Sequence, residues 1–251
     1  MIPSGRTYHD LIERWRALDG RHGLRIGGLQ YGEDGWTLLH ARSNDWNLPA
    51  VGIAAGVHGD EPAGPWALLS LVEEGLLSSS CSYRLWPCTN PCGYIRGRRT
   101  NFEGQDINRT FGVPFVKRST SHEAEVVLSM NATHRFALSL DLHEDCDAEG
   151  FYCYEYGDGG IGPKIIAALD EHGLPIDPLE VTFALAGPLE EAYCRRERGL
   201  VVADAGEEAA LLGGLSYSLA MARHGARHAL TFETPLSAPW PTRIAMHRLR
   251  S

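Results

Sequence analysis

Apolar, strand-like runs alternate along the chain with segments of helical spacing, and this alternation allows few folds. Val51–Gly56 is short, apolar and rich in small residues, as a buried strand would be, and Ala137–His143 is predicted as another buried strand. Pro62 is placed to open a helix that runs to about Glu74, and a further helix is predicted over Ser121–Thr133. Buried strands that alternate with helices predict an α/β domain with a largely parallel sheet.

The remaining segments extend this pattern. Thr7–Leu18 has the spacing of a helix, and a Gly-Glu-Asp-Gly turn between strand-like runs at Leu24–Tyr31 and Trp36–Ser43 predicts a hairpin. Strands are also predicted at Tyr83–Pro87, Gly150–Tyr156 and His228–Glu233, and helices at Gly162–His172 and Thr242–Leu249. Asn90–Gly112 is a long polar segment, which is typical of a functional loop, and Pro175–Ala210 has no clear pattern. Since no linker divides the chain, we expect one domain over residues 1–251.

The charge balance and the cysteine content exclude several classes of protein. The 251 residues include 23 Lys and Arg against 32 Asp and Glu, and this net charge of −9 argues against nucleic acid or an anionic membrane as the main partner. No apolar run approaches the roughly 18 residues of a membrane-spanning helix, and the N-terminus lacks a hydrophobic signal core. Six cysteines are too few for a disulfide framework at this length, so we expect reduced thiols in a cytoplasmic protein.

The first candidate metal ligands follow the Val51–Gly56 strand. In His58-Gly59-Asp60-Glu61 the imidazole and the last carboxylate are three residues apart, so a tight turn can aim both at one ion. An imidazole nitrogen and a carboxylate oxygen are both good zinc ligands. Taken alone, the motif also fits a loop histidine followed by a glutamate that favours a helix N-terminus.

A second polar cluster ends the Ala137–His143 strand. Side chains alternate along a strand, so Asp141 and His143 point to the same face. His143 can supply a third ligand, and a set of two histidines and one glutamate leaves a position open for water, as in catalytic zinc sites. The alternative is a strand that simply reaches solvent among acidic residues.

Two more groups of polar residues complete the candidate set. In the Asn90–Gly112 loop, Asn108 and Arg109 suit a substrate carboxylate, because a guanidinium offers paired donors in a fixed fork. Asp106 suits the far nitrogen of a metal-bound histidine, whose tautomer it would fix. Glu233 ends an apolar strand, and a glutamate beside a zinc site can take a proton from water and deliver it to a leaving amine. The alternatives are an Arg-rich solvated loop and an ordinary strand-end glutamate.

Together these clusters resemble the zinc carboxypeptidases of the M14 type. The resemblance is carried by His58-Gly59-Asp60-Glu61, Asn90-Pro91-Cys92-Gly93, Asp106-Ile107-Asn108-Arg109-Thr110-Phe111, Asp141-Leu142-His143 and Thr231-Phe232-Glu233. The His-Gly-Asp-Glu form is similar to the murein-peptide amidase branch and its succinylglutamate desuccinylase and aspartoacylase relatives. The family fold is a mixed, mainly parallel, twisted sheet of about eight strands between helices, and it agrees with the predicted alternation.

The resemblance also implies a role for each matching residue. His58, Glu61 and His143 match the ligands of one zinc ion, Glu233 matches the general base, and Asn108 and Arg109 match the residues that bind the terminal carboxylate of the substrate. Arg99 best matches the arginine that polarises the scissile carbonyl, and Arg98 is its alternative. Tyr217 is a candidate for the mobile tyrosine of many such enzymes, or else an ordinary aromatic residue. The specificity pocket is expected between about residues 205 and 217.

The implied activity is zinc-dependent hydrolysis of a peptide or amide bond next to a free carboxylate. An N-acyl-amino-acid deacylase of the succinylglutamate desuccinylase or aspartoacylase type is the first alternative. Those deacylases typically carry a β-rich domain after the base, and only 18 residues follow Glu233, which favours the peptidase. A catalytically inactive binding module is the alternative of another class, and it is disfavoured because all three ligands and the base are present.

Overall fold

The computed structural model describes residues 6–32, 34–43, 47–112, 120–178, 193–203 and 213–248. The strands in these ranges are β1 (Leu24–Tyr31), β2 (Trp36–Ser43), β3 (Ala50–Ala55), β4 (Ser82–Trp86), β5 (Phe136–Asp145), β6 (Tyr152–Gly157), β7 (Tyr193–Glu197), β8 (Leu200–Ala203) and β9 (His228–Pro235). The helices are α1 (Tyr8–Arg16), α2 (Ala63–Glu73), α3 (Pro91–Arg96), α4 (His122–Asn131), α5 (Gly162–Glu171), α6 (Tyr217–Arg223) and α7 (Trp240–His247).

All nine described strands form one sheet in the order β1-β2-β4-β3-β5-β9-β6-β8-β7. The four central strands β4, β3, β5 and β9 run parallel. Antiparallel pairs lie toward both edges, at β1–β2, β2–β4, β6–β9 and β7–β8. The predicted mixed α/β fold is therefore confirmed, with its parallel part at the centre. The nine strands in the described ranges agree with the sheet of about eight that was expected, and β7 and β8 lie in the segment that the sequence left unassigned.

Side-chain caps explain where several helices begin. The Thr7 hydroxyl accepts a hydrogen bond from the Asp10 N–H at the start of α1, and Ser121 does the same for α4. The polar Asn90–Gly112 segment differs from the prediction, because it contains helix α3. There the Asn90 side chain accepts from the Gly93 N–H and Pro91 occupies the first turn, so an Asn-Pro pair starts the helix. Helix α6 was not predicted.

Helices cover both faces of the sheet. On one face Trp15 of α1, Leu68 of α2 and Met246 of α7 are buried in one apolar cluster with residues of the strands. On the other face Val127 of α4 and Leu219 of α6 are buried in a second cluster. Burial on both faces explains why the central strands are apolar. No helix in the described ranges is both long enough and apolar enough to span a bilayer.

The connections around β3 create a crevice at one end of the sheet. The chain runs from β3 through α2 to β4 on one side of β3, and then through α4 to β5 on the other side. Ligands of open α/β sheets bind where neighbouring connections diverge in this way, outside the carboxyl ends of the strands. The polar motifs that follow β3, β4, β5 and β9 are thereby brought to one edge of the sheet.

Candidate metal centre

Three side chains from two neighbouring strand ends converge in the crevice. The loop after β3 carries His58 and Glu61, and β5 carries His143; all three are at least 95% buried. The Glu61 carboxylate lies 2.6 Å from His58 Nδ1 and 2.7 Å from His143 Nδ1. The two Nδ1 atoms are 3.1 Å apart, and the three residues form a group able to hold a metal ion. The structure thus brings together the residues that the sequence predicted as ligands.

A carboxylate lies against the outer nitrogen of each histidine. Asp106 Oδ1 is 3.1 Å from His58 Nε2, and Asp141 Oδ2 is 2.8 Å from His143 Nε2. Asp106 accepts the His58 Nε2–H, and the Asp141 carboxylate beside His143 Nε2 favours a proton on that nitrogen. In these tautomers both Nδ1 lone pairs face Glu61. Two lone pairs and one carboxylate in contact repel one another, whereas a divalent cation accepts all three. The donor set of two imidazoles and one carboxylate fits zinc.

Glycine contacts fix the loop that carries His58 and Glu61. A Cβ on Gly59 would lie 1.9 Å from the Gly93 carbonyl carbon and 2.2 Å from the Tyr94 nitrogen. The loop after β3 therefore packs directly on the backbone of α3. This contact gives a steric reason for the glycine in the His-Gly-Asp-Glu motif and connects that motif to the Asn-Pro-Cys-Gly motif.

Glu144, the neighbour of His143, holds the ligand Glu61 in place through hydrogen bonds. Its backbone N–H donates to Glu61 Oε2 at 3.1 Å, and its side chain accepts from the Ala63 N–H at 2.7 Å. The same carboxylate receives Arg243 Nε of α7 at 2.5 Å, and the exposed fractions of the two side chains are 0% and 5%. One buried ion pair thus ties the ligand strand to the beginning of α2 and to α7. The sequence analysis did not identify this pair.

Arg99 reaches the centre through Asp106. Arg99 Nε donates to Asp106 Oδ2 at 3.0 Å, and Nη1 lies 3.7 Å from Glu61 Oε1. Burial raises the pKa of Asp106, but His58 and the two arginines Arg99 and Arg109 outweigh it and hold the pKa below its usual range. The alternative residue Arg98 donates instead to the Asn101 carbonyl at 2.5 Å. Of the two arginines, Arg99 is the one that lines the cleft beside the metal ligands.

Glu233 stands next to His143 across the β5–β9 pairing. The two residues are register partners on parallel strands, so their Cα atoms are about 4.8 Å apart. Burial raises the pKa of Glu233 well above its usual range, His143 opposes this shift, and Glu61 adds to it. A bound cation would lower that pKa again by direct attraction. The arrangement places a proton acceptor beside the three ligands.

Asn108 and Arg109 follow Asp106 in a short 3₁₀ turn, Ile107–Arg109, and both line the cleft. Asn108 Oδ1 accepts from the Tyr217 N–H at 2.9 Å, and its Nδ2 lies 3.3 Å from His143 Nε2. A Cβ on Gly214 would lie 1.8 Å from the Arg109 carbonyl oxygen, so the segment before α6 packs on this turn. The start of α6 thereby fixes the residues predicted to bind a carboxylate.

The structure does not bring the Tyr217 ring to the cleft. The side chain is fully buried and packs edge-on against Phe111 at a centroid distance of 5.5 Å. Its contribution to the site is the backbone N–H that holds Asn108. Residues 205–212, which are most of the predicted specificity segment, lie outside the described residues. Ser216, immediately before α6, does line the cleft.

The cleft has a volume of about 140 Å³. Six of the residues that line it were predicted from the sequence as site residues: His58, Glu61, Arg99, Asn108, Arg109 and Glu233. Ser216 lies in the predicted specificity segment, whereas Glu144, Asp145, Tyr154, Tyr156 and Thr231 were not predicted as site residues. Strand alternation could have identified Asp145, which is two residues beyond His143 on β5. Tyr154 and Tyr156 lie on β6, and the sequence does not show that β6 pairs with β9 next to the site.

Residues 47–164 match the catalytic domain of the succinylglutamate desuccinylase/aspartoacylase family. This match covers the three candidate ligands together with Arg99, Asp106, Asn108 and Arg109. The M14-like resemblance is confirmed. The matched range ends at residue 164 and does not include Glu233, which stays a predicted base. The position of β9 beside β5 places Glu233 next to His143. No curated protein sequence matches the chain.

Solved structures share the M14-like fold over almost the whole chain. A candidate metallopeptidase from Shewanella baltica is 24% identical with a TM-score of 0.77, over 96% of this chain and 89% of that one. Carboxypeptidase A from Helicoverpa armigera is 18% identical with a TM-score of 0.64, over 93% of this chain and 65% of that one. A metallo-carboxypeptidase from Pseudomonas aeruginosa, in complex with (2-guanidinoethylmercapto)succinic acid, is 19% identical with a TM-score of 0.60, over 96% and 65%. At these identities the likeness concerns the fold.

Proposed function

We propose that this protein is a zinc-dependent hydrolase that cleaves a peptide or amide bond next to a free carboxylate. The observation that carries the proposal is the convergence of His58, Glu61 and His143 at one point, with Glu233 beside them. Zinc held by these residues would polarise the scissile carbonyl and lower the pKa of water toward about 7. His58 Nδ1, His143 Nδ1 and the Glu61 carboxylate are the donor atoms that would hold it.

Glu233 acts as the proton carrier in this proposal. Its carboxylate takes the proton of the attacking water and then protonates the departing amine, so a single group serves both half-reactions. Its register position beside His143, at the wall of the cleft, keeps the carboxylate close to the reacting atoms. Arg99, fixed by Asp106, directs its guanidinium toward the oxygen that gains negative charge.

Arg109 and Asn108 bind the free carboxylate of the substrate. The short turn that carries them is fixed by Asp106 at one end and by the start of α6 at the other. A substrate held at both its carboxylate and its carbonyl reacts as if the attack were intramolecular. The Pseudomonas aeruginosa structure, with a succinic acid derivative bound, is consistent with a carboxylate-bearing ligand for this fold.

An N-acyl-amino-acid deacylase is the second candidate, and the family match favours it. The matched domain is the catalytic domain of desuccinylases and aspartoacylases, which remove an acyl group from an amino acid. The same ligands, base and carboxylate-binding residues would serve, because both substrate classes place a carboxylate beside an amide. The two candidates differ in what lies on the acyl side of that amide.

A hydrolysis screen separates these possibilities. Zinc-loaded protein is incubated with peptides that have a free C-terminus, including diaminopimelate-containing ones, and with N-acetyl and N-succinyl amino acids; the Glu233→Gln variant is the blank. Release of a C-terminal residue supports the peptidase, and release of acetate or succinate supports the deacylase. Equal rates for wild type and blank on every substrate would contradict hydrolysis at this site.

The role of Arg109 is tested with the same substrates. Arg109→Ala is expected to raise KM strongly for carboxylate-bearing substrates, while their C-terminal amides, which are poor substrates of the wild type, change little. An equal loss on the acids and on the amides would refute carboxylate recognition by Arg109. The matched control is Arg96→Ala, because Arg96 is exposed on α3 and does not line the cleft.

A further inference from the structure

One carboxylate in the cleft has no cationic partner among the described residues. Asp145 lies at the end of β5, on the same side of the strand as His143, and lines the cleft with Glu233 and Arg109. No arginine, lysine or histidine in the described ranges forms an ion pair with it. Within the described part of the chain the Asp145 carboxylate accepts from two neutral donors, the Tyr152 hydroxyl at 2.7 Å and the Asp147 N–H at 2.9 Å.

The other acidic residues of the cleft have assigned partners or roles. Glu61 contacts both histidines, and Glu144 is paired with Arg243. Glu233 faces the metal centre and is the proposed base. Asp145 is therefore the carboxylate whose charge the described structure leaves uncompensated. An uncompensated charge in a cleft favours a ligand of opposite charge.

The same comparison of the basic residues singles out Arg109. Arg99 is paired with Asp106 and approaches Glu61. The Arg109 guanidinium donates to the Asn108 carbonyl, and within the described residues no carboxylate lies at ion-pair distance from it. Among the described residues, the cleft thus offers one cation and one anion without an ion-pair partner, on different elements of the fold.

We propose that Asp145 binds an ammonium group of the substrate, so that the cleft selects molecules that carry both a free carboxylate and a free amine. The proposal rests on the function proposed above, in which Arg109 holds the carboxylate. The substrate class is then an amino-bearing peptide or aminoacyl amide rather than a neutral N-acyl amino acid. The ammonium is either the N-terminal amine of the acyl part or an amine on the side chain of the leaving residue.

Contacts with its neighbours hold Asp145 ready for this role. Tyr152 is 97% buried on β6, and its hydroxyl fixes one oxygen of the carboxylate. Burial raises the pKa of Tyr152 well above its usual range, and nearby Glu233 adds to the rise, so the hydroxyl remains a donor. The side chain of Asp145 is thus oriented before any ligand arrives, which lowers the entropic cost of binding an ammonium.

Matched substrate pairs test the proposal. One pair is a dipeptide with a free N-terminus and its N-acetyl form, and the other is a peptide ending in lysine and the same peptide ending in norleucine. We expect the amino-bearing member of one pair to have a kcat/KM about tenfold or more above its neutral partner, since hydrogen bonds to charged groups are strong. Asp145→Asn should remove this preference, because it should lower the kcat/KM of the amino-bearing member much more than that of its neutral partner. The pair that responds identifies the position of the amine.

A binding measurement separates this proposal from the proposed function. Calorimetry on zinc-loaded Glu233→Gln compares the same pairs without turnover, so ammonium recognition is measured even if hydrolysis is absent. Tyr152→Phe removes the hydrogen bond to the Asp145 carboxylate and should partly weaken the preference for the amino-bearing ligand. Asp147→Asn, which changes an exposed neighbour, should keep that preference. Thermal melting confirms that each variant is folded. Equal affinity for the two members of both pairs, or an equal loss on both members in Asp145→Asn, would overturn the proposal.

Discussion

His58 and His143 direct their Nδ1 atoms at one another across 3.1 Å, although the two residues are 85 positions apart in the chain. Both outer nitrogens face a carboxylate, and both inner nitrogens contact Glu61. When both imidazoles carry their proton on Nε2, beside Asp106 and Asp141, two lone pairs meet across this contact, and a cation bound between them would stabilise it. The pair is therefore the most direct indication of a cation site in the described structure.

The first prediction concerns metal content. Wild-type protein dialysed against zinc should retain about one ion per chain, whereas His58→Ala and His143→Ala should retain much less, because two ligands hold zinc far more weakly than three. Mass spectrometry of the metal measures the ratio. His9→Ala is the control, since His9 is exposed on α1. Full zinc retention in both ligand variants would remove the basis for the metal centre.

The second prediction separates the base from the ligands. Glu233→Gln should retain zinc at the wild-type ratio but lose about 10²- to 10⁴-fold in kcat, because the amide neither accepts nor delivers the proton. The measurement is kcat on whichever substrate the screen identifies, with metal content determined on the same sample. Near-normal turnover would show that another group carries the proton. Loss of zinc would instead show that Glu233 belongs to the ligand set.

Sequence reasoning located the centre because its residues stand at strand ends. His58, Glu61, His143 and Glu233 follow or end apolar strands, and parallel strands bring their carboxyl ends to one edge. Helix α3 was also accessible, since Asn90 and Pro91 form a recognisable helix start. The prediction of the whole polar segment as a functional loop left this helix start out.

The supporting contacts could not be predicted in the same way. Arg243 pairs with Glu144 across 99 positions, and nothing in either local pattern selects the partner. Tyr217 follows the second of its two predicted alternatives, an ordinary aromatic residue, because an aromatic residue near a site need not face it. Its ring enters the apolar core, while its backbone N–H holds Asn108. Which side of an element a residue occupies depends on helix packing that a single sequence leaves open.

The third prediction tests the buried ion pair behind the ligands. Arg243→Met should lower the free energy of unfolding by about 3–5 kcal/mol, because it leaves the Glu144 carboxylate buried without its cation. Adding Glu144→Gln should recover part of that loss, since the amide still accepts from the Ala63 N–H but carries no charge. Urea denaturation of the four proteins gives the coupling. Arg16→Met, which removes an exposed pair on α1, should have little effect, and additive losses in the double variant would contradict the ion pair.

The last prediction concerns the acid limit of stability, far from the metal centre. His40 lies on β2 with its Nδ1 atom buried and without a hydrogen bond, and burial, together with Arg84 and Arg42, lowers its pKa from 6.5 to about 4. The folded state therefore binds this proton more weakly than the unfolded chain. Stability from the neutral imidazole is complete above pH 6.5 and is lost as the pH falls toward 4, by at most about 3 kcal/mol.

His40→Gln carries no titrating ring, so its free energy of unfolding should fall less than that of the wild type between pH 6.5 and pH 4. Urea denaturation at half-unit steps of pH measures both curves. His9→Gln, which changes an exposed histidine on α1, should follow the wild type. Parallel curves for wild type and His40→Gln would show that other groups set the acid limit. Arg84 and Arg42 repel the imidazolium, and salt screens this repulsion. At high salt, the fall in free energy of unfolding between pH 6.5 and pH 4 should therefore differ less between wild type and His40→Gln.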